Sequence, residues 1–289
     1  LSASPKGGFV PIKNRPWPHD DQPQDQIISP DALALVRFGL RAADDPRILN
    51  TVRAIDALLK VETPHGPVWR RYNGDRYGEH EDGSAFDGTG IGRCWPLLTG
   101  ERAHYEIAAG RIEQASQLLR AFERFAGESG LIPEQVWDGS DVPDRELRFG
   151  GPSGSAMPLV WAHAEYLKLQ RSLRDGRVYD MPAQVQQRYV IEQRRSSYAF
   201  WRFNHKLRTI AEGRQLRVET VVPVLVHWSA DNWLTTHDTS SRDTQLGVHV
   251  TDLPTESLPI GTDIVFTFYW PNGNRWEQRD YSVVVASPE

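Results

Sequence analysis

The apolar residues of this chain change period once, and that change limits what it can fold into more than any motif does. From Asp31 to Gly176 they recur at three- and four-residue spacing, and after about Tyr189 short runs alternate apolar with polar residues. The first period suits a helix with one buried stripe, the second a strand with one buried face. The chain should therefore be an α+β multidomain protein with its helices and strands segregated along the sequence. Its 289 residues allow one large or two medium domains, and the change of period predicts a helical domain with an N-terminal arm over 1–195 and a β domain over 196–289.

Ser29-Pro30-Asp31 opens the first helix with a Ser able to cap, a Pro at the first helical position and an acid in the first turn. Leu33, Val36 and Leu40 follow at helical spacing. Asp45-Pro46 opens a second helix with the stripe Ile48, Val52, Ile55 and Leu59. Further helices are predicted from Trp95 to Gly110, from Ile112 to Gly127 and from Leu159 to near Gly176. His104 and His163 fall on apolar helix faces, where a hydrogen-bonded packing role is expected. Residues 1–29 read as an irregular arm, in which Asp20, Asp21 and Asp25 suit a solvated loop better than a metal site, because nothing fixes ligand spacing.

Short alternating runs at 217–221, 224–228, 247–250, 264–270 and 281–285, with an Asn272-Gly273 turn signal, predict an antiparallel β-sandwich. Trp228, Trp233, Trp270 and Trp276 in this tail either stack on sugars or pack the sandwich.

Two stretches depart from the helical pattern. Between Glu62 and Gly92 the period vanishes for about thirty positions, and loops that long inside a compact domain are usually functional. This one mixes guanidinium, phenol and carboxylate groups in Trp69-Arg70-Arg71-Tyr72-Asn73-Gly74-Asp75-Arg76-Tyr77-Gly78-Glu79. Arginine there offers a planar fork of donors suited to adjacent hydroxyls. The second stretch is Ser129-Gly130-Leu131-Ile132-Pro133-Glu134-Gln135-Val136-Trp137-Asp138. Pro133 fixes its own φ and pushes Ile132 toward an extended conformation, so Glu134 should leave a loop in a defined direction. Glu134 is the candidate catalytic carboxylate; Gln135 could hold a hydroxyl or water, and Trp137 could offer a flat surface to a sugar ring. Carboxylate, amide and indole together suggest carbohydrate.

A net charge of −5 argues against nucleic acid as the main partner. No apolar run approaches the ~20 residues needed to cross a bilayer, so no membrane span is expected. The lone cysteine, Cys94, excludes an internal disulfide. No metal or organic cofactor is expected, with structural calcium on loop oxygens left open. The chain begins at Leu1 without a recognisable leader and is expected to be a processed product or a piece of a longer protein.

Five ordered blocks carry a family resemblance: 35–40, Thr63-Pro64-His65-Gly66-Pro67, Arg71 to Glu79, Gly92-Arg93-Cys94-Trp95-Pro96 on to Arg102, and Pro133-Glu134-Gln135-Val136-Trp137-Asp138. Together they resemble bacterial family 15 glycoside hydrolases, which include glucoamylases and glucodextranases, over about Phe9 to Tyr189. The resemblance implies an (α/α)6 barrel and inverting release of glucose from the non-reducing ends of α-glucans. Glu134 matches the general base and Arg71 the arginine that holds the first glucose, with Tyr72, Asp75, Tyr77 and Trp95 shaping that pocket. The general acid lies upstream of these blocks in the family, and no such segment occurs here. The chain therefore looks like the second half of the barrel plus a β domain, completed by an N-terminal half that is expected as a separate chain. A carbohydrate-binding module without its own chemistry is the competing reading. Glucodextranase or trehalase specificity is the alternative within the family. Secretion or a periplasmic location is expected, because polymeric α-glucans are usually met outside the cell.

Overall fold

The structure, a computed structural model, describes residues 9–11, 21–23, 26–194 and 196–287. Asp20, Asp25 and the side chain of Asp21 lie outside the described residues. The chain divides into two compact units, Leu1–Arg194 and Arg195–Glu289.

In the first unit β1 (Phe9–Pro11) and β2 (Asp21–Pro23) pair antiparallel, so the described parts of the arm are a short ribbon. Ser29 Oγ accepts from the Asp31 N–H at 3.3 Å and caps a 3-10 turn, Pro30–Leu33, that leads into α1 (Ala34–Arg37). This first helix is shorter than its spacing predicts. Gly39 takes a φ of 72°, and the chain turns out of the helix before Leu40. Asp45 caps α2 (Pro46–Leu59) by accepting from the Arg47 N–H at 2.9 Å, and its hydrogen bonds to Arg47 hold its pKa at about 2.

The long loop contains a sheet that the sequence reading did not anticipate. β3 (Lys60–Thr63) and β4 (Gly66–Arg70) form a hairpin, and β4 also pairs with β5 (Cys94–Trp95). The turn between β3 and β4 is held by Thr63, whose Oγ1 donates to Gly66 O at 2.8 Å. Then come α3 (Pro96–Ala108), α4 (Ile112–Phe125), α5 (Val160–Asp175), which ends at Gly176 with a φ of 65°, and the short α6 (Ala183–Gln186). α3 is central, packing on α1, α4 and α5. Leu97, Tyr105 and Phe122 are buried in its core with Ile48, Ile55 and Leu59 of α2. Truncating a side chain such as Phe122 to Ala costs about 3–5 kcal/mol.

The second unit has β6 (Tyr198–Arg202), β7 (Thr209–Ala211), β8 (Gln215–Thr220), β9 (Leu225–Ser229), β10 (His237–Ser240), β11 (Arg242–Asp243), β12 (His249–Leu253), β13 (Asp263–Trp270), β14 (Arg275–Trp276) and β15 (Tyr281–Ala286). One sheet runs β11-β12-β8-β6; the other runs β10-β9-β13-β15-β7, with β14 on β13. Alternating burial along β8, β13 and β15 turns Leu216, Val218, Phe266, Phe268 and Val283 into one core with Trp201 and Val226. The sheets are mixed, which corrects the antiparallel expectation: β6 runs parallel to β8 and β7 parallel to β15. The chain leaves one sheet for the other at β7 and returns at β8, so β6 and β8 point the same way. In the β13–β14 hairpin it is Asn274, at a φ of 45°, that takes the left-handed position.

Among the described residues no helix is long and apolar enough to cross a membrane. None of their acidic, histidine and cysteine side chains gather in groups of three or more suited to a metal.

Candidate active site

Backbone hydrogen bonds lock the stretch around Glu134 on both sides. The Val136 N–H donates to Cys94 O at 2.9 Å, tying it to β5, while Glu134 N–H donates to Ala156 O and Trp137 N–H to Gly151 O, each at 2.8 Å. Ile132 N–H donates to Nε2 of His163 on α5 at 3.0 Å, so that histidine positions the approach to the loop. Of residues 132–137 only Glu134 is not buried. A carboxylate on a backbone fixed this way presents one defined face.

The Arg71 fork grips Asp75, with Nε to Oδ2 at 2.8 Å and Nη2 to Oδ1 at 2.9 Å. Asp75 also accepts from the Tyr77 N–H at 3.1 Å and is itself buried. Gly92 lies against Asp75 so closely that a Cβ there would come within 2.4 Å of the Asp75 Cβ, which is why the position holds glycine. The guanidinium of Arg71 sits 4.9 Å from the ring centres of both Tyr77 and Trp95 and 5.5 Å from that of Tyr72. Burial raises the Tyr77 hydroxyl above its ordinary pKa, as do the charge of Glu134 and its contact with that carboxylate, against the pull of Arg71. Glu134, Tyr77, Arg71 and Trp95 therefore form one continuous group.

Two predicted contact residues are closed off. Trp137 is fully buried, with the Arg93 guanidinium 3.9 Å from its ring centre, Gly139 against the ring, and its Nε1–H donating to Ser140 O at 2.7 Å. It has no free face for a sugar. Gln135 is buried and spends its Nε2 on Tyr77 O at 2.8 Å, which joins the Glu134 stretch to the tyrosine. Asp75 likewise touches Arg71 and its own loop. These three shape the site from behind.

Sequence reasoning missed the support under the loop. The buried carboxylate of Asp138 accepts from Arg70 Nε and Arg93 Nη1, each at 2.8 Å, and from Cys94 Sγ at 3.3 Å. Burial, then the charge of Asp138, pushes the Cys94 thiol well above its ordinary range, so it stays protonated. Arg93 Nη2 also donates to the backbone oxygens of Glu79 and His80, at 2.8 and 2.7 Å. A charged residue between Gly92 and two residues of a buried strand was the signal available.

A model of glycosyl hydrolases family 15 matches residues 8–171. The chain belongs to this family. The matched stretch holds every residue of the candidate site described above and stops short of the second unit. A glucoamylase of Clostridium sp. (strain G0005) is 50% identical over 167 residues, which are 58% of this chain and 22% of that protein. A solved bacterial glucoamylase complexed with acarbose is 46% identical, with a TM-score of 0.56, over 63% of this chain and 25% of that one. The chain thus spans about a quarter or less of the length of these family 15 relatives.

Proposed function

We propose that this chain is the C-terminal part of an (α/α)6 glucoamylase-type catalytic domain followed by a β-sandwich, and that Glu134 is its general base. The reaction is inverting hydrolysis that releases glucose from the non-reducing ends of α-glucans. The observation that carries the reading is Glu134 itself, the one residue of 132–137 left unburied, on a backbone bonded on both sides and in contact with Tyr77. Glu134 takes a proton from water as that water attacks the anomeric carbon. A carboxylic acid roughly 6.5–9.5 Å away protonates the leaving oxygen, a separation that leaves room for the water. No residue of this chain matches the family's acid, so the N-terminal half supplies it. Arg71, with Nε and Nη2 committed to Asp75, turns Nη1 to a hydroxyl of the first glucose. Tyr72, Tyr77 and Trp95 form the wall beside it.

The half barrel needs a cover. On α5, Val160 and Leu167, seven residues apart, share one face with exposures of 78% and 65%, and Trp161 beside it is 57% exposed, a surface that the N-terminal half buries. That half comes from the same precursor or from a separate chain, and a secreted or periplasmic location fits a polymeric substrate. The test is to assemble this chain with the N-terminal half of such a domain, supply maltose and dextran, and follow the product anomer by NMR. Release of β-glucose is expected, and the ratio between the two sugars reports the preferred linkage. Release of α-glucose, or sugar binding without release, contradicts the reading.

A further inference from the structure

The four tryptophans of the β tail separate into two kinds. Trp228 is buried and Trp270 packs against the core, its Nε1–H donating to Glu277 at 2.9 Å. Trp233 and Trp276 instead flank His227 on the other side of the same sheet. His227 lies on β9 between the buried Val226 and Trp228, so strand alternation turns it outward. The Trp233 ring stacks on it at 5.3 Å and 12°, and the Trp276 ring meets it edge-on at 5.7 Å and 78°. Tyr269 of β13 lies 5.3 Å from Trp276. Trp276 is 48% exposed.

The loop after β9 is built to hold Trp233. Asn232 and Trp233 both take left-handed backbone, at φ 56° and 65°, which costs free energy in non-glycine residues and recurs where a side chain must be aimed. Ser229 Oγ accepts from the Trp233 N–H at 3.0 Å, and Asp231 accepts from the Thr235 N–H at 2.8 Å. On the strand side Asp238 accepts from His227 Nδ1 at 2.7 Å, fixing the imidazole with Nε2 outward. Tyr269 donates to Asn274 Oδ1 at 2.6 Å.

We propose that Trp233, His227, Trp276 and Tyr269 form a second carbohydrate site, a binding platform for α-glucan chains. Sugar rings stack on aromatic faces, and His227 Nε2 with the Tyr269 hydroxyl supplies polar contacts at the rim. The near-perpendicular arrangement of the Trp276 ring against the His227 and Trp233 pair favours a curved chain. A flat β-glucan needs coplanar rings in a row. The choice of an α-glucan as ligand rests on the hydrolase reading above, whereas the platform stands on the second unit alone.

The test is affinity electrophoresis of the full chain in gels containing amylopectin or hydroxyethyl cellulose, with titration of maltoheptaose by calorimetry. Retardation by amylopectin is expected, with weaker or no retardation by the cellulose. Trp276→Ala and Trp233→Ala should each weaken maltoheptaose binding about tenfold or more. Trp276 is exposed enough for its replacement to leave the thermal midpoint unchanged, which separates lost binding from lost folding. Glu134→Gln should bind amylopectin like the parent chain, because the platform residues all belong to the second unit; binding by the parent chain while its assembled enzyme releases no glucose would contradict only the hydrolase reading. Absence of retardation by amylopectin, equal retardation by cellulose, retention of binding in both tryptophan variants, or its loss in Glu134→Gln would each overturn the proposal.

Discussion

Two parts of the first unit bury charge, and they do so differently. Between α1, α3 and α5, Arg37 donates to Asp180 through Nε and Nη2 at 3.1 and 2.7 Å and to Glu165 through Nη1 at 2.8 Å. His104 Nδ1 lies 2.8 Å from Glu165, and its Nε2 lies 3.0 Å from Ser172 Oγ, which in turn accepts from the Tyr179 N–H. Around the candidate site the pairing is incomplete. Among the described residues the buried side-chain atoms without a partner are Glu79 Oε2, Arg93 Nε, Trp95 Nε1 and Thr251 Oγ1, and the first three lie in the 79–95 segment beside Arg71. Charge that holds helices together is satisfied within the chain, while the segment beside the candidate site keeps buried polar atoms open.

Removing a member of the closed network should have the largest effect on stability. Arg37→Met leaves Glu165 and Asp180 buried without their cation and should lower stability by about 3–5 kcal/mol, read from urea unfolding. A loss under about 1 kcal/mol would erase the contrast between the two regions.

Glu101 sharpens the comparison through pH. Its carboxyl is pushed up to about 7 from 4.5 by burial, then by the charge of Glu165, against Arg37. A folded pKa above the unfolded value means stability fully present below pH 4.5 and lost as pH rises through about 7, on the order of 3 kcal/mol in all. Glu165 and Asp180 work in the opposite sense. Although burial opposes it, His104 and Arg37 hold Glu165 below its ordinary value, and Arg37 and Lys168 do the same for Asp180. Their contribution is lost as the medium turns acid. Glu101→Gln should flatten the stability profile between pH 4.5 and 7 and leave the acid limb intact.

Arg71→Ala leaves the buried Asp75 carboxylate with the Tyr77 N–H still donating to it and should cost about 1–3 kcal/mol of stability, less than Arg37→Met, while sugar affinity of the assembled enzyme falls at least tenfold. A fall in stability as large as that of Arg37→Met would make Arg71 a structural residue. The smallest effect is expected at Trp161: Trp161→Ser should change the stability of this chain by no more than about 0.5 kcal/mol, and should weaken its association with the N-terminal half, measured by sedimentation.

Much of this was legible along the chain because it depends on neighbours in sequence. Ser29, Asp45-Pro46 and Gly176 mark helix ends through local hydrogen bonds and backbone angles, and strand alternation already separates His227 from Trp228. The sheet of β3 to β5 was hidden, because four alternating residues follow α2 without a break and the turn residues read as loop. The burial of Trp137 and Gln135 was hidden for a different reason. It is produced by Arg93, Tyr77 and the 150–156 segment, all distant in sequence, so an indole and an amide beside a carboxylate looked like ligand contacts. Arg93 and Asp138 were overlooked for the same cause, since each is explained only by the other.

The central claim is that the Glu134 carboxylate removes a proton from the attacking water. Turnover of maltotriose by the assembled enzyme should fall by about 10²–10⁴ in Glu134→Gln, with maltotriose binding close to that of the parent. Unchanged turnover in that variant would contradict the account.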